Sequence, residues 1–464
     1  MLKILFLFLM ASGLPVAIAM AGSSLVYILV SGDMPGFAVV HRMIGGIDSF
    51  PLLAVPFFIL AGNLMNNAGI TNRIYNFALA LVGWLKGGLG HVNVVGSVIF
   101  AGMSGTAIAD AGGLGTIEIK AMKDHGYPTE FALGITAASA TLGPIIPPSL
   151  PLVIYGVQAN VSIGRLFAAG FVPGILMALF MMGMVAYYAH VRKYGSDIAF
   201  SWPRMGRAFF ELGFVAVTAV ALYFLWSHPD LPGWLRFGAL LVGTMVADKV
   251  FKFEAYMALL TPVILIGGMA TGLFTPTEAA VAAVAWALFL GFAWYRTLSW
   301  RMLVKISMDT IESTAVVLFI VAAASIFAWV LTTTRVTEAI AVWVLSISDN
   351  PLVFLLLVNV FLLFVGCFME TIAAITILVP VFMPIIAKLG IDPVHFGVVM
   401  VLNLMIGLLT PPVGMVLFVL QKVARISFEA TVKAVLPWLW PLLVTLGLIT
   451  YVPQLVLWLP NLLY

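Results

Sequence analysis

Long apolar blocks run from one end of this chain to the other, separated by short polar or proline-broken interruptions. Leu166 to Tyr188, Phe210 to Trp226 and Ala430 to Leu448 are near the roughly 20 residues that cross a bilayer as a helix. Phe50 to Met65, Ser313 to Leu331 and the run from Ala339 to Leu345 with the apolar stretch beyond it fit as further spanning or bracing helices. The pattern predicts an all-α integral membrane protein with many spans.

The interruptions carry more information than the blocks, because they occur twice in register. Gly126, Gly143 and Pro147-Pro148 in one half answer Gly390, Gly407 and Pro411-Pro412 in the other. In each, 17 positions separate the glycines and 21 lead to the Pro-Pro. Upstream, Gly102 to Thr106 answers Gly366 to Thr371. Paired helix breaks at matching places in two repeats point to a substrate and ion site at the bilayer midplane. The expected architecture is therefore a helical transporter with two repeats, inverted in topology, each holding a re-entrant hairpin and a discontinuous helix. Residues 1–190 form the first repeat, with hairpin 91–118 and broken helix 130–158. Residues 191–255 hold a cytoplasmic loop and an extra helical hairpin. Residues 256–464 form the second repeat, with an amphipathic connector over 296–310, hairpin 352–387 and broken helix 395–421.

Composition agrees with the pattern, since 63% of the 464 residues are hydrophobic and 9% are charged, against about 25% charged in soluble domains. A net charge of +3 reflects loop lysines and arginines, which mark cytoplasmic loops and not a nucleic-acid partner. Arg192, Lys193, Arg204 and Arg207 form one basic stretch and Arg296, Arg301 and Lys305 another. Four apolar segments lie between them, an even number, so both stretches face the cytoplasm. The mixture of Trp300, Met302, Leu303 and Ile306 with Arg301, Lys305 and Asp309 reads as a helix lying in the interface, or as an ordinary connector. The single cysteine, Cys367, excludes an internal disulfide, and no nucleophile elbow, phosphate loop or zinc motif is present. Enzyme chemistry has no support here.

The first break, around Gly102 to Thr106, is too short to join two full spans. Backbone turns at membrane depth survive only where protein or a polar cavity covers them, so a re-entrant hairpin is expected. Ser104, Gly105 and Thr106, with carbonyls freed near Gly143 and Pro147, offer hard oxygen ligands suited to an alkali cation, for which sodium is the economical choice. Gly366, Glu370 and Thr371, with Gly407 and Thr410, offer the second set. The bland alternative is that these prolines merely kink packed helices. Four acids lie in or beside apolar stretches: Asp110, Glu118, Glu278 and Glu370. Glu278 follows Thr275-Pro276-Thr277 and reads as helix-start chemistry, whereas Asp110 and Glu370 are candidates for tuning an ion site or carrying a proton. The tryptophans, Trp438 and Trp440 among them, read as interface belts.

At these residues the chain resembles the large, DctM-type membrane subunit of tripartite ATP-independent periplasmic transporters over nearly its full length. The resemblance rests on the blocks Asp48 to Gly62, Gly102 to Asp110, Gly143 to Ser149 and Phe274 to Ala279. It implies a sodium-coupled secondary importer in the bacterial inner membrane, whose two-hairpin transport domain moves as an elevator against a scaffold. It implies a small four-helix membrane subunit, a periplasmic substrate-binding protein, and small organic carboxylates such as C4-dicarboxylates, sialic acid or other sugar acids as substrates. The segment from Glu211 to Lys252 departs from that pattern as one added helical hairpin.

Overall fold

Apolar sequence between capped ends gives helices from end to end in the computed structural model, which describes residues 2–32, 35–227, 233–253, 255–270 and 273–464. Among the described residues, six helices are long and apolar enough to cross a membrane. One of them, the central span Ile163–Val191, is capped by Ser162 and runs 29 residues, about 43 Å at 1.5 Å per residue.

Two expectations need correction. The connector 296–310 is not a separate interfacial helix, because from Trp300 the chain continues unbroken as the 34-residue helix Trp300–Thr333. The sequence there holds neither glycine nor proline, and once the Ser299 hydroxyl accepts the Met302 N–H nothing ends the helix. At about 51 Å it outruns a hydrocarbon core of roughly 30 Å, so its first turns, with Arg301 and Lys305, project beyond it. Trp438 is likewise no belt residue. It is 2% exposed and packs against Phe131 and Tyr188, with Gly134 beside its indole. Trp440, at 67% exposed, does face outward.

Hydrogen bonds fix which way each hairpin points. The first consists of an inbound arm, Gly88–Ser104, and a returning arm, Ala107–Gly112 followed by Leu114–Asp124. Its open end is tied to the chain just beyond the central span: Gly87 N–H donates to Gly195 O (2.8 Å), and Leu89 N–H and the Tyr127 hydroxyl both donate to Asp197 Oδ2 (2.8 and 2.7 Å). Burial and then the bond to Asp197 push the Tyr127 hydroxyl well above its ordinary pKa, so it stays a donor. This is the side of Arg192 and Lys193, the basic stretch expected to face the cytoplasm. The second hairpin consists of Pro351–Gly366 and Thr371–Lys388. The chain just past its open end meets the other side, where the Tyr155 hydroxyl donates to Pro393 O (2.7 Å) a few residues before the central span begins. The two hairpins therefore enter from opposite faces, as inverted repeats require.

Each repeat also has its discontinuous helix, Thr129–Ala140 with Leu150–Ala159 in the first and Pro393–Gly407 with Met415–Ala424 in the second. Packing is crosswise. The returning arm of hairpin 1 lies on Met415–Ala424, and the returning arm of hairpin 2 lies on Leu150–Ala159. The extra pair of helices, Trp202–Ser227 and Gly233–Phe251, is pinned to the rest by Phe210, Phe214, Phe251, Phe253 and Tyr256, whose rings pack on one another.

Candidate ion and substrate site

The first tip forms because Gly105 takes φ +66°, a left-handed conformation that ends the inbound arm. A Cβ there would lie 2.8 Å from Pro148 O, so only glycine lets the tip settle on the Pro147-Pro148 turn. The contact is sealed by Leu150 N–H donating to Gly105 O (3.3 Å). Gly143 and Pro147 are buried in that turn, and the Ser149 hydroxyl donates to Pro144 O while accepting the Leu152 N–H (3.2 Å). Thr106 is half-buried at the start of the returning arm, where its carbonyl accepts the Asp110 N–H (3.2 Å). The Ser104 side chain lies outside the described residues. On the tip's other flank Gly102 leaves room for Pro262, whose Cγ would be 3.0 Å from a Cβ. A π-helical turn, Val263–Gly267, follows that proline.

The second tip is built to the same plan from different residues. Val413 N–H donates to Cys367 O (3.3 Å), one position past Pro411-Pro412, just as Leu150 N–H reaches Gly105 O two positions past Pro147-Pro148. Both Pro-Pro bonds are cis. Gly366 and Gly407 meet backbone to backbone, since a Cβ on Gly407 would stand 2.5 Å from Gly366 Cα. The Thr410 hydroxyl contacts Gly407 O (2.9 Å) and Cys367 Sγ (3.0 Å). Glu370 caps its returning arm, accepting N–H groups of Ile372 (2.8 Å) and Ala373 (3.1 Å). Thr371 is 1% exposed, and among the described residues its hydroxyl has no hydrogen-bond partner.

That orphaned hydroxyl is a test of fit for a cation. Buried polar atoms are almost always satisfied, and a hard oxygen beside a helix break is the donor an alkali ion takes. The structure thus brings Gly105, Gly143 and Pro147 into one turn-and-tip unit, and Gly366, Gly407 and Thr410 into the other, with Glu370 and Thr371 at the start of the returning arm.

Sequence reasoning missed several participants. Asn93 on the inbound arm donates to Glu118 Oε2 (2.7 Å) and Thr136 Oγ1 (2.8 Å) and accepts from Ser139 Oγ (2.7 Å), all of it buried. In the second repeat Asn403 donates to Asn359 Oδ1 (2.8 Å), and Asn359 donates to Thr450 Oγ1 (3.0 Å). Ser139 and Asn403 sit 264 positions apart, the same offset as Gly143 and Gly407, so both repeats tie hairpin to broken helix at an equivalent place. The legible signal was an asparagine inside each apolar hairpin arm. Thr261, fully buried just before Pro262 with a hydroxyl unpartnered among the described residues, carried no such signal. Glu278 forms the expected capping box with Thr275.

Comparison with known proteins adds a family context. The sequence model described as "Tripartite ATP-independent periplasmic transporter, DctM component" matches residues 3–455. The chain is 44% identical over 456 residues to the sialic acid TRAP transporter large permease protein SiaM of Vibrio cholerae, covering 98% of this chain and 96% of that one. It is 39% identical over 414 residues to the C4-dicarboxylate TRAP transporter large permease protein DctM of Pseudomonas aeruginosa, covering 89% and 87%. Among solved structures it is similar to the YdaH transporter of Alcanivorax borkumensis, with a TM-score of 0.56 and 14% identity over 89% of this chain and 86% of that one. That last likeness is one of fold.

Proposed function

This chain belongs to the DctM component family of tripartite ATP-independent periplasmic transporters, a multi-pass permease of the bacterial inner membrane, and from that premise we propose a sodium-coupled import cycle for it. The cargo is a small organic carboxylate. Sialic acid, C4-dicarboxylates and 2,3-diketo-L-gulonate are named for relatives at 44%, 39% and 34% identity, and the higher identity favours sialic acid. A periplasmic binding protein delivers it, and a separate small four-helix membrane subunit completes the membrane complex.

Ser104, Gly105, Thr106, Gly143 and Pro147 hold one sodium ion, and Gly366, Glu370, Thr371, Gly407 and Thr410 another. Bound sodium supplies positive charge that offsets the substrate carboxylate. The chain's own part is positional: each tip is stitched to the Pro-Pro turn of its own repeat, so carbonyls and hydroxyls from two segments converge without lipid-exposed backbone. The crosswise packing of the repeats supports an elevator in which hairpins and broken helices travel as one body. The observation that carries the reading is the buried, unpartnered Thr371 hydroxyl beside a tip bonded to its turn.

The test is thermal stability of the purified protein across a sodium titration, against potassium and choline. Wild type should be stabilised by about 2.7 kcal/mol per site at a hundredfold excess over Kd; Thr371→Ala should remove the increment of the second site, and Thr371→Ala with Thr106→Ala that of both, while folding normally. A proton-coupled cycle through Asp110 and Glu370 is the competing reading. The use of Glu370 as a helix cap weighs against it, and uptake that follows a pH gradient without sodium would establish it instead.

A further inference from the structure

The returning arm of hairpin 1 does not close fully against the helices outside the hairpin-and-broken-helix body. Between Ile108 and Gly112 of that arm and the junction of Ala54–Asn67 with Ile70–Val82 lies a cleft of about 380 Å³, within the roughly 300–1,000 Å³ of small-molecule sites. Ile108 stands two positions past Thr106, so the cleft begins beside the first tip. At the junction the Thr297 hydroxyl donates to Ala68 O (2.9 Å), next to Arg296 and Arg301, the basic stretch expected to face the cytoplasm. A carrier that moves cargo with its hairpins releases it inward through a gap between these two sets of helices. That position makes cargo the occupant.

The chemistry of the wall says which part of the cargo. Asn63, Asn66, Thr71 and Asn72 supply its polar groups, and no charged side chain lines it among the described residues. Asn63 Nδ2 donates to Thr310 Oγ1 (3.1 Å), whose own hydroxyl donates to Ile306 O (2.7 Å), so the Asn63 amide is oriented with its oxygen left over. The Thr71 hydroxyl donates to Asn66 Oδ1 (3.2 Å), which leaves the Asn66 amino group. Asn72 is exposed, and its amide has no partner among the described residues. The remaining set is neutral and holds both donors and acceptors. A carboxylate only accepts and would find no cation here, whereas a hydroxyl uses both kinds of partner. We propose that this cleft is a cargo subsite on the inward release path, in which Asn63, Asn66 and Asn72 hold the hydroxyl-bearing chain of a sugar acid. This role rests on the reading of the chain as a carrier of small carboxylates, and it favours sugar acids over C4-dicarboxylates among them.

Ile108, which is 41% exposed and lines the cleft without hydrogen-bonding, is the reporter position. Ile108→Cys in purified Cys367→Ser protein is labelled with a maleimide at saturating sodium, with sialic acid, with succinate or with neither. Sialic acid should slow labelling saturably and succinate should not. Half-protection should need roughly fivefold more sialic acid after Asn72→Ala and about thirtyfold more after Asn66→Ala/Asn72→Ala. No protection by sialic acid, or the same protection in the double variant, overturns the subsite; equal protection by succinate overturns the hydroxyl assignment. Should loss of the Thr71 contact unfold the double variant, Asn72→Ala alone decides. The sodium titration of melting temperature is run on the same proteins. Its failure in wild type would count against sodium coupling and leave the protection result standing, so the two readings fail separately.

Discussion

At the residue scale the site depends on atoms that are missing. Gly407 has no Cβ because Gly366 Cα occupies the space 2.5 Å from where it would be. Gly407→Ala should therefore separate hairpin 2 from its broken helix, costing about 1–3 kcal/mol and removing part of the sodium-dependent increment. Gly447→Ala, with nothing within 4 Å of the added methyl, should be neutral or stabilising by up to about 1 kcal/mol as an ordinary helix substitution. Equal melting shifts for the two variants would contradict the close-approach argument. Glycine and proline spacing made this contact legible in the sequence, because those residues encode backbone geometry directly. Thr371 was legible as a hydroxyl at a break, but its lack of a partner depends on what surrounds it.

At the scale of elements, a hairpin in a membrane must be held to something, and each is held by buried amides. Asn93→Ala would strip a donor from the Glu118 carboxyl and a partner from Ser139 at once. The expected loss is about 2–4 kcal/mol, more than for Ser139→Ala, because a carboxyl left without its donor is costlier than a hydroxyl. Thermal denaturation of the two variants side by side decides it; a milder effect for Asn93→Ala would mean that water replaces the amide. The corresponding place in the second repeat uses Asn403 and Asn359 without a carboxyl, and position 382, at the repeat offset from Glu118, is Phe382. The acid is therefore particular to the first repeat.

At the scale of the molecule, the repeats are interlocked and not merely adjacent. The first hairpin's returning arm rests on the second repeat, with a Cβ on Gly112 3.9 Å from Val419 Cγ1. In a Cys367→Ser background, Gly112→Cys with Val419→Cys should crosslink on oxidation and still support uptake, since both segments belong to one moving body. Uptake lost in proportion to crosslinking, and restored by reduction, would show that the two slide past each other and would sink the single-body elevator.

The sequence by itself determined the spans, the repeat, the positions of both breaks and the residue types at the tips, because hydrophobic length, missing N–H groups and glycine freedom act locally along the chain. It overextended locality at two places: an amphipathic start does not end a helix that lacks a terminator, as Trp300–Thr333 shows, and a tryptophan near a span end can be drawn inward when a distant glycine leaves room, as Trp438 does beside Gly134. Only the tertiary structure decided that the hairpins enter from opposite faces, that each rests on the other repeat's broken helix, and that the buried Thr371 hydroxyl is left unpartnered among the described residues. Those outcomes turn on contacts between residues dozens to hundreds of positions apart, such as Tyr155 with Pro393 and Leu150 with Gly105. No local pattern specifies them.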